Sequence, residues 1–452
     1  MPSPAERLPL TGADAFLLAF DTLTRRENRA SHLSQIVLRL GPGFDAEGFR
    51  RALDDVVRAN LICAAPIRRR RLGMGLPEYR LDLARRADGP RFHEHTGGER
   101  PPRRWGEAAP LPAIFEERIN TLQDASRGGL FDVDAVRYAD GSTDLALTWQ
   151  HMLLDGFGSE RFVELLADVC AGKRAPDELP AGDRPGAPPP LELPQSQRER
   201  GNMAMSWQRW MSELGQKSVR SPAGPERGVR QQLAVDRVQF ADEASAAIVA
   251  RANERAGFLT PMIFYLAAAI RAHAAVLAQR GERPESFVVP LPVNLRPKGV
   301  EGAIFRTHVS LLWFQVDAEL VDDFEALLAA LKEQRRLAIR SGMIEAGVAA
   351  MEYARGAPSR LYGQMARRNL KGELCSFFFA YTGEFCPDRE SFCGAPFEDG
   401  FGVPSVPASP GSALVLALRG GRLGYTHVRQ RDAFRPGELE LFQEKLHRDL
   451  SG

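Results

Sequence analysis

Cysteine is scarce in this chain: five residues, an odd number, with no C-x-x-C pair. That argues against a disulfide framework and against a structural zinc held by paired thiolates. Cys375, Cys386 and Cys393 fall near one another in sequence and read as ordinary reduced thiols. An excess of one charge is also missing. The formal net charge of +1 offers no electrostatic footprint for nucleic acid or an anionic membrane surface. No apolar run approaches the length needed to cross a bilayer, so no transmembrane segment is expected. The opening Met1-Pro-Ser-Pro-Ala-Glu-Arg7 lacks the charged-then-apolar order of a signal peptide, and a cytoplasmic location is expected. There is no G-x-S-x-G elbow, no Walker A loop and no G-x-G-x-x-G turn. Serine-hydrolase, ATP and dinucleotide chemistry are therefore disfavoured, and no resident cofactor is expected. His93-Glu94-His95 has no further ligand at metal-binding spacing and reads as a surface loop, so no metal site is expected.

What the chain does have is length and apolar content. Its 452 residues, 44% of them hydrophobic, exceed one ordinary core and predict two domains of mixed α/β type. From Lys173 to about Arg200 the composition turns to proline and polar residues, including Pro188-Pro189-Pro190, which neither a helix nor a central strand accommodates. The expected division is 1–175, then a proline-rich linker and helix over 176–230, then 231–452. In the first part, Ser34–Leu40 reads as a strand, and Asp45 as the cap of a helix carrying Phe49, Leu53 and Val56. Phe131–Tyr138 and Thr143–Gln150 read as a hairpin turned at Asp140-Gly141. Arg68 to Arg71 invite a phosphate site, but alternate strand residues face opposite ways, and a solvated edge is the expectation. In the second part, Thr260-Pro261 opens a helix to Gln279 that is apolar nearly all round and should be buried. Ser286–Val293 and Thr307–Val316 read as strands.

The chain is organised around Leu145-Ala-Leu-Thr-Trp-Gln150-His151-Met-Leu-Leu-Asp155-Gly156-Phe-Gly158. An apolar strand ends, Asp155-Gly156 turns the chain, and a helix follows with Ser159 as its expected N-cap. His151 stands where the strand stops, a rigid post for a group whose pKa suits proton transfer near neutrality.

Gln150-His151-Met-Leu-Leu-Asp155-Gly156 resembles the H-H-x-x-x-D-G motif of the superfamily of peptide-synthetase condensation domains, wax ester synthases and related CoA-dependent acyltransferases. Val289-Pro-Leu-Pro-Val-Asn294-Leu-Arg296-Pro297 is similar to a segment of the wax ester synthase branch. The resemblance covers nearly the whole chain. It implies two chloramphenicol-acetyltransferase-like subdomains meeting in a V, with a central tunnel and the motif histidine at its middle. It further implies an acyltransferase that takes acyl-CoA or an acyl carrier protein as thioester donor and a small-molecule hydroxyl or amine as acceptor, in natural-product or lipid biosynthesis.

Such a reaction needs a base for the nucleophile and donors for the thioester oxygen, without a covalent intermediate. His151 is the expected base, and backbone N–H groups around Gly156 are candidates for the oxyanion. Asp155 is expected to pair with an arginine. Cys63 stands where relatives place that cation, so Arg296 or Arg68 must supply it. Gln150 replaces the first motif histidine, a mild departure. Asn294 and Arg296 could act at the tunnel or simply close a loop, and Thr382 is expected near the substrate. His308 and His427 read as structural. Two alternatives stay open: a stand-alone condensation enzyme joining carrier-bound substrates, and a catalytically silent relative that recruits a partner.

Overall fold

The computed structural model describes residues 7–69, 75–87, 89–184, 187, 189–225, 232–298 and 301–452. Arg70, Arg71, Gly73, Met74 and Pro188 lie outside the described residues. The fold is mixed α/β, with two larger sheets. In the six-stranded sheet the order is Ser391–Phe392, Ala395–Val403, Leu33–Leu40, Thr143–Gln150, Phe131–Arg137, Arg91–Thr96. In the five-stranded sheet it is Phe378–Glu384, Ser412–Arg419, Arg422–Gln430, Leu233–Gln239, Ala109–Pro110. Strands from each part of the chain therefore cross over, Ser391–Phe392 with Ala395–Val403 in one direction and Ala109–Pro110 in the other. Ala395–Val403 comes from late in the chain yet pairs antiparallel with Leu33–Leu40, and Ala109–Pro110 from early in the chain pairs with Leu233–Gln239.

The central strands explain this arrangement. Thr143–Gln150 is buried along its whole length, and Leu33–Leu40 nearly so. Ile36, Leu38, Leu145, Leu147 and Trp149 enter one apolar cluster with Phe49 and Phe162. Leu33, Val37 and Ala146, pointing the other way, enter a second cluster with Val235, Phe401 and Val428. The sheet is thus covered on both faces, and this is why its inner strands read as continuous apolar runs. A third cluster surrounds Pro261–Gln279, whose twelve buried residues include Phe264, Tyr265 and Ile270. Among the described residues this one helix is long and apolar enough to cross a membrane, where no such run is expected from the sequence, and 67% of its most apolar stretch is buried inside the protein.

Several sequence expectations change in detail. Asp45 does cap Ala46–Ala59, accepting from the Gly48 N–H at 2.8 Å. Thr260 holds the N-cap position with Pro261 behind it, but its hydroxyl turns back to the Ala256 carbonyl instead of capping. His93 and His95 lie on a strand rather than in a loop. Arg91–Thr96 runs parallel to Phe131–Arg137, and His95 Nε2 sits 2.9 Å from Asp134 Oδ1. Arg68 and Arg69 spend their guanidinium groups on backbone carbonyls of Ser126, Gly75 and Ala357. Helices Met343–Ala354 and Ser359–Arg368 also form, and both pack on Gly12–Glu27.

Candidate active site

His151 is the residue immediately after the strand Thr143–Gln150, and its loop is pinned from several sides. Tyr79 donates its hydroxyl to the Met152 carbonyl at 2.8 Å, and Trp149 Nε1 donates to the Leu154 carbonyl at 2.8 Å. The Arg306 N–H donates to the Leu153 carbonyl at 2.6 Å. The Leu154 oxygen has a second lone pair, and His151 Nδ1 lies 3.3 Å from it. A carbonyl can only accept, so this contact places the proton on Nδ1 and leaves Nε2 unprotonated. Burial lowers the His151 pKa below the ordinary histidine value, since removal from water penalises the cation; the Leu154 carbonyl and Asp155 oppose that only in part. At neutral pH the ring is a neutral base.

Asp155 does three things at once. Its Oδ1 accepts from the Gly158 N–H at 2.8 Å, which makes Asp155 the N-cap of the helix Gly156–Cys170. The expected cap Ser159 lies inside the first turn instead, and its hydroxyl donates to the Gly156 carbonyl. The carboxylate wins because it meets an orphan N–H one turn earlier. Its Oδ2 takes the Arg296 guanidinium at 2.9 Å and the His308 N–H at 2.7 Å. Burial alone would raise the Asp155 pKa, but these partners hold it below the usual carboxylate range. The cation sought in the sequence is Arg296, carried in by the long connection between Ser286–Asn294 and Val309–Asp317.

That assignment corrects the expected substrate contacts. Arg296 is buried, with Nε donating to the Ala303 carbonyl at 2.7 Å. Asn294 Oδ1 accepts from the Arg296 N–H at 3.1 Å. Neither lines the cavity beside His151; they close the loop that presses on Asp155. Thr382, from the strand Phe378–Glu384, does line it. Gln150 is fully buried, its Nε2 bonded to the Gln123 carbonyl at 3.1 Å, and it also lies away from the cavity. His308 Nε2 bonds the Phe305 carbonyl, and His427 is buried against Ser412 and Phe442.

The cavity itself has a volume of about 240 Å³. It lies between the two large sheets. Gly12–Glu27 walls it, and His151, Gly156, Thr382 and the ends of the strands Ala395–Val403 and Ser412–Arg419 contribute to its lining. Gly156 faces open space, since a Cβ there would meet nothing. Gly158 is different: a Cβ would overlap the Ile304 carbonyl oxygen, so only glycine lets the helix start meet the loop that brings Arg296.

One lining residue was not foreseen. His32 is buried, its ring centroid is 5.5 Å from that of His151, and its Nδ1 has no hydrogen-bond partner. Its carbonyl accepts the His151 N–H, and its own N–H is held by Asp21 Oδ1 at 2.9 Å. Burial, together with the neighbouring His151, lowers the His32 pKa well below the histidine norm. The site thus brings two neutral imidazoles to the wall of one cavity.

No family model matches the chain. No curated protein matches it in sequence either. Solved structures match over nearly its whole length. Trichothecene 15-O-acetyltransferase from Fusarium sporotrichioides superposes with a TM-score of 0.68 at 14% identity, covering 98% of this chain and 95% of that one. The first condensation domain of the calcium-dependent antibiotic synthetase, in complex with a substrate analogue, gives 0.67 at 16% identity, with 98% and 96% covered. The X-domain from teicoplanin biosynthesis, in complex with OxyB, gives 0.62 at 17% identity, with 100% and 94% covered. The fold is that of the condensation domains and the trichothecene acetyltransferase.

Proposed function

We propose that this protein is an acyltransferase that moves an acyl group from a thioester to a hydroxyl or amine, with His151 as general base. The observation that carries the reading is His151 itself: a neutral imidazole whose Nδ1 is engaged by a carbonyl, at the wall of a cavity. In this reading Nε2 takes the proton of the attacking nucleophile as it adds to the thioester carbon. The proton then passes to the departing thiolate as the C–S bond breaks. Gly156 and Phe157, at the start of Gly156–Cys170, line the cavity, and in this reading their backbone N–H groups serve the developing oxyanion. Asp155 and Arg296 act through geometry, fixing the loop that aims His151. The donor in this reading is acyl-CoA or an acyl-phosphopantetheinyl carrier protein, acting as substrate.

Carrier-bound condensation differs from this only in where the acceptor is tethered. A purely partner-recruiting role would leave the His151 cavity without a purpose. The test is release of free thiol from a panel of acyl-CoAs, and from acylated carrier protein, with hydroxyl and amine acceptors. His151→Ala should lower the rate by about 10²- to 10⁴-fold with the fold intact. Equal rates in the variant would remove the general-base assignment.

A further inference from the structure

A second, larger cavity of about 500 Å³ lies beside the first, where Gln197–Leu214 packs on Met343–Ala354 and residues of Ser359–Arg368 complete the lining. Phe16, Phe20, Leu311, Met351 and Phe378 line both cavities, so the two adjoin along these apolar side chains. Its volume lies in the range of small-molecule sites. Among the described residues, no charged side chain lines it. Its polar groups are largely spent within the protein. Gln208 bonds Asn369 at 3.1 Å, Ser310 donates to the Ile344 carbonyl at 3.1 Å, and Tyr353 donates to the Gln197 carbonyl at 2.7 Å. A polar ligand would find few partners here, and burying it unpaired would be costly. Four of the chain's ten methionines, Met205, Met211, Met351 and Met365, line the space. Their unbranched thioether side chains adapt to flexible apolar guests. Met205 and Met365 are largely exposed, marking an apolar rim.

We propose that this cavity binds the linear alkyl chain of a substrate whose reacting end lies at His151. The proposal rests on the acyltransferase reading for where the reacting end lies, but not for the binding itself. The alkyl chain belongs to the acyl thioester or to the acceptor, and the two arms of the experiment separate these sources. With a fixed acceptor, acetyl-, butyryl-, octanoyl- and palmitoyl-CoA are compared. With a fixed donor, ethanol, octanol and hexadecanol are compared. In the arm that uses the cavity, kcat/KM should rise roughly fourfold for each methylene buried.

Binding is measured independently of turnover, by quenching of tryptophan fluorescence with cis-parinaric acid, since Trp207 and Trp313 line the cavity. Ala350→Phe places a ring inside it; it should weaken parinaric acid binding at least tenfold and, in the arm that uses the cavity, lower the octanoyl-to-acetyl or the octanol-to-ethanol rate ratio at least tenfold. Ala204→Phe, on the facing helix, is the second variant if the first does not fold. Failure of wild type to bind parinaric acid, or equal binding by a folded filling variant, overturns the proposal. Binding without thiol release from any donor would sink the acyltransferase reading and leave the cavity assignment standing. Thiol release without binding or chain-length preference would do the reverse.

Discussion

Removal of the guanidinium behind Asp155 is the sharpest test of how this site is held. In Arg296→Met the apolar stem is kept and the charge is lost. The pair is 2.9 Å apart, with 5% and 2% of the two side chains exposed, so solvent cannot replace the lost partner. Asp155 would keep only the Gly158 and His308 N–H groups. Breaking a buried pair from one side costs about 3–5 kcal/mol, a large part of the stability of an ordinary domain. Asp155→Asn breaks it from the other side. The amide keeps an oxygen for the Gly158 cap but turns a donor toward both Arg296 and His308, which are donors themselves. In the double variant the amide no longer faces a guanidinium. Its loss should therefore fall short of the sum of the singles by about 1–3 kcal/mol. The measurement is equilibrium urea denaturation of all four proteins, followed by tryptophan fluorescence. Acidity supplies a second check. Asp155 has a lowered pKa in the native state, so its contribution is present above the ordinary carboxylate value of 3.8 and is lost as pH falls through the native one. Without Arg296 burial dominates and the native pKa rises, so the deficit of Arg296→Met should shrink on acidification. Additive singles, or a loss below about 1 kcal/mol for Arg296→Met, would refute the reasoning.

Three further expectations concern the same region. The rate should fall with acidity on a limb whose midpoint lies below 6.5, because burial lowers the His151 pKa and only its neutral form is a base; a pH–kcat/KM profile with a midpoint above that value would contradict it. Gly158→Ala should lose about 1–3 kcal/mol in the same denaturation assay, because its methyl meets the Ile304 carbonyl, while Gly156→Ala should fold like wild type. Tyr79→Phe strands the buried Met152 carbonyl and should lower stability by about 1–3 kcal/mol, with kcat affected more than KM; unchanged stability would mean that the hydroxyl does not hold the His151 loop.

The parts of the site that share one stretch of chain were legible in the sequence, while the cation for Asp155 was legible only as a choice between Arg296 and Arg68, which the fold resolves by bringing Arg296 to 2.9 Å from it. His32 was not legible. It lies far from His151 in sequence and meets it only because Leu33 pairs with Gln150 across the sheet, a register that no local pattern encodes. The strand Ala395–Val403 was also missed. Its Pro396, Glu398, Asp399, Gly400 and Gly402 argue against a strand, yet a Cβ at Gly400 would overlap the Phe385 ring, so a packing demand outweighed propensity. The apolar helix Pro261–Gln279 was read as buried, since its lack of a polar face left no other place for it.

The late arrival of Ala395–Val403 has a consequence for synthesis. Leu33–Leu40 and Thr143–Gln150 can pair once both have left the ribosome, but the far side of Leu33–Leu40 stays a bare edge of unpaired amides and carbonyls until Val403 emerges. At about 5–20 residues per second that interval lasts on the order of tens of seconds. An uncovered apolar edge recruits other chains. Fragments ending before Ala395 should therefore aggregate as they are made, and cutting this protein between its halves would yield two sticky pieces in place of two domains.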